Sequence, residues 1–375
     1  MRPLRSAPPP LRIAIVAASL RILGGDSVQA QRLLDAWKGD SDIDAWLVPI
    51  NPVPASPFDA LLSVKYARTI VTQLWYWPRL ACGLRRADVV HVFSAAHSSF
   101  LLASLPAIIV AKLLGRPVVL NYHSGDAGNH LRRSALARRV MRDWVDLNVV
   151  PSIFLRDVLA SFGIPARTVP NMIDPQQFAY RVRDPLRPWI LSTRNFEPIC
   201  NVAAVVRAFA RVQAHRADAT LTLVGGGSQE PALRALATEL NLRHVTFAGR
   251  VPPSGINRYY AEADIYVQTP AIDNMPLSMI EAFASGLPVV STGVGGVPAI
   301  LTHGVHGLLA PADDDEAVAA HVMTLLESPA YARQLAAAAR ETCAGYEWPV
   351  AREGWLAAYR SVANHPPGVA PAQSR

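Results

Sequence analysis

Lysine is nearly missing from this chain of 375 residues: it stands at Lys38, Lys65 and Lys112 and nowhere beyond, so all but three of the 36 basic residues are arginine. Only three cysteines occur, Cys82, Cys200 and Cys343, and they are too scattered for metal-ligand spacing or a disulfide framework. That fits a reducing cytoplasm. Long apolar runs are absent too. The longest, residues 100–114, is broken by Pro106 and Lys112 and falls short of a membrane span, so it reads as a helix buried under a sheet. The first ten residues have no apolar h-region and read as a disordered leader rather than a signal peptide. Residues 363–375 read as a disordered tail. No repeat of 20–50 residues is evident.

The remaining composition is that of a globular chain, 51% apolar and 17% charged, with net charge +7. The positive balance suits anionic partners: phosphorylated ligands, an anionic membrane surface or nucleic acid. The alternative is the arginine bias that GC-rich coding produces. No nucleic-acid motif is present, and no nucleic-acid partner is expected.

Apolar, β-branched runs alternate with helical spacing throughout. Strands are expected at residues 11–18, 45–49, 89–93 and 117–122, with helices between them. Asp26 is read as the N-cap of the first helix. Residues 179–188, polar and proline-punctuated, are read as a linker. A second series follows, with strands at 189–192, 220–224, 245–247, 265–268, 288–291 and 307–309 and a helix at 202–213. The fold class is therefore α/β: two Rossmann-like domains, residues 11–180 and 187–345, whose parallel sheets face a cleft. A last helix, 346–362, is expected to return to the first domain.

Residues 273–298 carry the strongest chemical signal. Asp273 precedes a helix that Pro276 should open, and Glu281 follows within it. A helix N-terminus offers free N–H groups and positive polarity to a diphosphate. Glycines 225–227, 293, 295 and 296 stand at strand ends, where they let backbone approach a phosphate. Arg194 follows the strand 189–192 as a phosphate clamp. Each residue has a plainer alternative: Asp273 as a loop cap, Glu281 as a helix-dipole partner, Arg194 in an ion pair with Glu197.

The motifs stand in series: GGDSVQA (24–30), YHSG (122–125), VPNMIDPQQF (169–178), TRNFE (193–197), LTLVGGG (221–227), VTFAGRV (245–251), DNMPLSMIEAFASGLPVVST (273–292) and HGVHGLLAPADD (303–314). Over about residues 11–360 the chain resembles the retaining nucleotide-sugar glycosyltransferases of family 4, which have the GT-B fold. The resemblance implies that Glu281 binds the ribose hydroxyls and that Asp273, often Glu in the family, sits near the transferred sugar. It implies that backbone at Asn274, Met275, Pro276 and Leu277 lies along the sugar and diphosphate, and that Arg194 neutralises the diphosphate. Gly24, Gly25 and Gly225 would approach the phosphates, backbone near Arg250 and Val251 would hold the base, and His123 would face the sugar. His123 can equally be a strand-end histidine satisfied by backbone. The family's usual lysine, five or six residues after the arginine, is replaced by Ile199 and Cys200.

The implied donor is a nucleotide-diphosphate sugar, UDP-linked in preference to GDP-linked. The implied acceptor is a glycan or a polyprenyl-linked glycan of a bacterial surface or exopolysaccharide. No cofactor and no metal is expected; SDID (41–44) is read as a turn, not as a metal motif. The stretch 68–86 mixes arginine with Trp75, Tyr76 and Trp77, which suits either a membrane interface or an ordinary packed helix. A phosphorylase of similar architecture would need a lysine for pyridoxal phosphate in the second domain, which has none. A nucleotide-sugar epimerase and a non-catalytic nucleotide-sugar-binding subunit are the remaining rivals.

Overall fold

The computed structural model describes residues 9–21, 24–52 and 65–363. Most of the expected leader and nearly all of the expected tail lie outside that range. The described chain forms two units, each built on a parallel six-stranded sheet. The first unit holds the described residues up to 151, with residues 156–169 and 352–363; the second holds residues 152–155 and 170–351. Residues 170–180, which the pattern gave to the first domain, pack with the second unit.

The strands of the first sheet are β1 (Leu11–Ala17), β2 (Ile43–Pro49), β3 (Val89–Ser94), β4 (Val118–Tyr122), β5 (Leu147–Val150) and β6 (Ala166–Thr168). Their order is β2-β1-β3-β4-β5-β6. β3 and β4 are buried along their whole length, as their continuous apolar runs require when helices cover both faces. The second sheet holds β7 (Trp189–Ser192), β8 (Thr220–Val224), β9 (Val245–Gly249), β10 (Ile265–Gln268), β11 (Val289–Thr292) and β12 (Leu308–Ala310), in the order β12-β11-β10-β7-β8-β9. The expected pair of Rossmann-like folds is thus present.

In each sheet the chain first winds one way and then crosses back. The reversal falls between β1 and β3 in one sheet and between β7 and β10 in the other. Loops at the carboxyl ends of those strands diverge there and leave a crevice suited to ligands.

Several local expectations change. Gly24, not Asp26, is the N-cap of the helix Gly25–Ala36, and Asp26 lies in its first turn. Ile43 and Asp44 of the SDID segment already pair in β2, so only its first half bends. The apolar run 100–114 is helical, but it begins as a π-helical stretch (Phe100–Ser104) and leaves Leu101, Leu102 and Leu113 exposed. The supposed linker contains no helix or strand, yet it is pinned to the second unit. Arg183, 2% exposed, donates to the carbonyls of Arg181 (2.6 Å), Tyr260 (2.8 Å), Ala263 (3.2 Å) and Ser285. Arg181 and Arg187 both pair with buried Asp264. A guanidinium that bonds helix-terminal carbonyls satisfies groups that would otherwise be buried without partners.

The last helix, Trp348–Ala363, joins the first unit through its later turns. Arg352 grips Asp40 (2.7 Å) and Asp42 (2.7 Å), Arg360 reaches Asp42 (2.6 Å), and the Tyr359 hydroxyl lies 2.8 Å from His91 Nδ1.

Candidate active site

The second unit gathers Arg194, Asp273 and Glu281 at its strand reversal. Arg194 lies two residues after β7, and Asp273 stands in the loop between β10 and the helix Leu277–Ala284. Both carboxyl-end loops of the switch point therefore carry a charged residue into the same place. Their side chains form a close ion pair, Arg194 Nη2 to Asp273 Oδ2, and are only 15% and 14% exposed. Arg194 Nη1 also reaches Ser278 Oγ (3.3 Å), and Nη2 reaches Cys200 Sγ (3.8 Å). Burial disfavours the guanidinium charge, but the Asp273 carboxylate outweighs it and holds the group above its ordinary value. Its Nε is buried and has no partner among the described residues. The ion pair with Glu197 does not form. Glu197 instead accepts hydrogen bonds from Ser228 N (3.0 Å) and Oγ (2.6 Å), which lower its pKa.

Pro276 is the N-cap of the Leu277–Ala284 helix, not its first residue, and no side chain closes that end. Glu281 sits one turn further in, 8% exposed, and its Oε2 accepts from the Tyr260 hydroxyl at 3.0 Å. The same hydroxyl lies 2.6 Å from Thr193 Oγ1 and 3.2 Å from the Ser278 carbonyl. Burial, then the Glu281 charge, keeps Tyr260 protonated far above the usual phenol range. One phenol thus ties Glu281 to the residue beside Arg194. Asn274 and Met275 serve the scaffold with their side chains: Asn274 Oδ1 accepts from Ser152 Oγ, and Met275 Sδ accepts from Asn171 N (3.4 Å).

Three of the glycines sit in close backbone contacts. A Cβ on Gly225 would lie 2.0 Å from the Arg194 carbonyl, and Gly225 has φ +151. A Cβ on Gly295 (φ +56) would meet the Asp273 carbonyl at 2.1 Å, and one on Gly296 would meet that of Asn274 at 1.9 Å. These glycines let neighbouring loops touch backbone to backbone and so fix the loops that hold the charged pair. The exposed Arg250 lays its stem over Gly226, and half-buried Val251 packs at the edge of the core beside the helix 277–284.

In the first unit, Gly24 and Gly25 open the helix after β1, with open space where their Cβ atoms would be. His123 follows β4 and is nearly buried. Its Nε2 lies 2.7 Å from Asn121 Oδ1 and its Nδ1 3.5 Å from Asp26 Oδ1. Its pKa is lowered, by burial first, with Asp26 opposing. A second pair, His97 and Asp126, lies on neighbouring loops of the same sheet edge. Among the described residues no cluster of three or more His, Cys, Asp or Glu side chains could hold a metal ion.

Sequence reasoning did not find Tyr260, Thr193, Cys200 or Ser278 as contacts of the charged residues. It also passed over Gln268 and Ser291, fully buried polar residues of β10 and β11 joined at 3.1 Å. A polar residue at or next to the end of an apolar strand was the signal available for both.

Residues 187–328 match the family described as Glycosyl transferases group 1, and residues 49–177 match Glycosyltransferase Family 4. The amylovoran biosynthesis glycosyltransferase AmsK of Erwinia amylovora is 28% identical over 60% of this chain and 56% of its own length. The sulfoquinovosyl transferase SQD2 of Arabidopsis thaliana is 24% identical over 76% of this chain and 59% of its own length. The chain thus spans under two thirds of the length of these relatives. Anabaena Alr3699/HepE, solved with UDP-glucose, superposes with TM-score 0.74 at 19% identity, covering 94% of this chain and 99% of that one. At that identity the likeness speaks for the fold.

Proposed function

We propose that this chain, which carries glycosyltransferase signatures on both halves of a GT-B fold, transfers a sugar from a nucleotide-diphosphate donor to a glycan or lipid-linked acceptor. The observation that carries this is the arrangement around Arg194. A buried guanidinium with an unpartnered Nε stands at the second sheet's switch point, near a helix N-terminus that no side chain closes. Such a place suits a diphosphate, because N–H donors and positive charge are already desolvated and need no rearrangement. Glu281, held by Tyr260, would receive the ribose hydroxyls. HepE is recorded with UDP-glucose, which favours a UDP-sugar.

Transfer with retention is the expectation carried by the family resemblance. The acceptor oxygen bonds to the anomeric carbon on the side from which the diphosphate oxygen departs with its electron pair, and the proton of the acceptor hydroxyl passes to that departing oxygen. Arg194 and the helix terminus would hold the growing negative charge in place of a metal ion. The acceptor would belong to the first unit. Glycosyltransferase matches on both halves weigh against the epimerase and binding-subunit readings. The place of action is proposed as the cytoplasm, at the inner membrane face. No described helix is long and apolar enough to cross a membrane.

Melting curves with UDP-glucose, GDP-mannose and ADP-glucose test the donor reading. A donor at 100 times its Kd should add about 2.7 kcal/mol of stability. Glu281→Gln, which keeps an acceptor for Tyr260, should weaken that donor about tenfold. A folded protein that none of the three nucleotide sugars stabilises would sink the reading.

A further inference from the structure

The first sheet presents a histidine–carboxylate pair that is not among the residues of the proposed donor site. β3 lies beside β1 at the strand reversal, so the loop after β3 borders the crevice of this unit. There His97, the first residue of the short helix His97–Ser99, takes φ 56, a left-handed conformation that histidine adopts uncommonly and that collects at functional sites. The chain then enters the π-helical stretch Phe100–Ser104. The loop after the neighbouring β4 supplies Asp126, whose N–H donates to Ser124 Oγ at 3.2 Å.

His97 Nε2 lies 2.8 Å from Asp126 Oδ2. A carboxylate only accepts, so Nε2 is the donor in this pair, and a ring bearing that one proton keeps a lone pair on Nδ1. That nitrogen meets no partner among the described residues. The two side chains are 45% and 36% exposed, within reach of a solute. Beneath them His130, 2% exposed, holds its Nδ1 at 2.8 Å from the Tyr122 hydroxyl, with its ring centroid 5.1 Å from that of His97. Burial, then the nearby His97, pushes His130 down to about 4, so the floor beneath the pair is uncharged at neutral pH.

We propose that His97 and Asp126 form the acceptor subsite of the transfer reaction, with His97 Nδ1 accepting a hydrogen bond from a sugar hydroxyl. This rests on the glycosyl-transfer reading above. Asp126 is the positioning residue: it fixes the tautomer and the direction of the lone pair. The pair selects a neutral, hydroxyl-bearing sugar end. A carboxylate or phosphate there would face a lone pair and a second carboxylate.

The test uses the full chain with 15N-labelled histidine and three probes: the methyl glycosides of glucose, galactose and mannose. The His97 ring should read as protonated on Nε2, its signals identified by their loss in His97→Gly, a change that suits φ 56. At least one glycoside should move the Nδ1 signal. In transfer from UDP-glucose to that glycoside, His97→Gly should raise the acceptor KM about tenfold, the worth of one hydrogen bond. Stabilisation by UDP-glucose should stay unchanged. Asp126→Asn, whose amide oxygen still accepts from Nε2, should raise the KM less than Asp126→Ala. Rings unmoved by all three glycosides, with UDP-glucose still stabilising the protein, would overturn the subsite and spare the donor reading. An acceptor KM unchanged in His97→Gly would also overturn it. Failure of every nucleotide sugar to stabilise the wild type strikes the donor reading, and the glycoside titration of the ring then judges the pair by itself.

Discussion

Arg194 shows how one residue carries both stability and chemistry. Its partner is Asp273, and both are largely removed from solvent. Removing one member of such a pair leaves a buried charge without compensation, which costs about 3–5 kcal/mol. Arg194→Ala should therefore lower the urea midpoint strongly, and Arg194→Ala/Asp273→Ala should recover most of the loss. A double-mutant cycle with additive costs would show that the pair contributes nothing. Asp273 turns its short side chain to the guanidinium. An incoming diphosphate would share the guanidinium with that carboxylate. The sequence named both residues as site candidates but did not set them against each other. Residues 79 positions apart meet only because β7 and β10 are neighbours at the strand reversal.

At the scale of elements, the last helix is fastened to the first sheet through a buried imidazole. His91 of β3 stacks on Phe93 (4.8 Å between centroids), lies tilted against Trp355 (4.4 Å) and shares a hydrogen bond with Tyr359. Burial, then the neighbouring His123, pushes its pKa down to about 3. The folded value is below the ordinary one of about 6.5, so the unfolded chain binds the proton first. Stability is complete above that ordinary value and falls as pH drops toward 3, by about 1.4 kcal/mol per unit. Urea titrations from pH 7 to 4.5 should show this slope, made shallower in His91→Phe/Tyr359→Phe, which removes the imidazole and leaves no orphaned hydroxyl. Equal slopes would remove His91 from the account. His130 adds a slope of the same sign, which the double variant retains.

At the scale of the whole molecule, the net charge of +7 and the helix Lys65–Leu84 bear on the proposed membrane partner. Two of its three adjacent aromatics face the protein: Tyr76 is buried with its hydroxyl on the Ala103 carbonyl (2.8 Å), and Trp75 is half-buried. Trp77 turns outward with Ile70 and Leu74, at helical spacing and 38%, 62% and 62% exposed. Leu101 and Leu102 extend this apolar face, joined to it by Gln73 Nε2 on the Leu102 carbonyl (2.8 Å). Arg79, Arg85 and Arg86 are exposed nearby in the chain. Sedimentation with vesicles of phosphatidylcholine and phosphatidylglycerol should show binding that weakens with salt, and Leu74→Ser/Trp77→Ser should reduce it several-fold. Equal binding by the variant would dismiss this face.

The sequence by itself determined the two parallel sheets and most of their strands, and it named the charged residues of the proposed donor site. Those follow from local physics: apolar runs that must be covered on both faces, helices between them, and a helix start beside an acid. It missed β5 and β6, four and three residues long, which carry too little pattern to stand out. Tertiary structure alone decided who meets whom. It paired Arg194 with Asp273 rather than Glu197, set Tyr260 on Glu281, and turned the glycines toward neighbouring carbonyls. It also brought His97 to Asp126. The reason lies in the crossover connections: strand order in the sheet, not distance along the chain, chooses which loops share an edge.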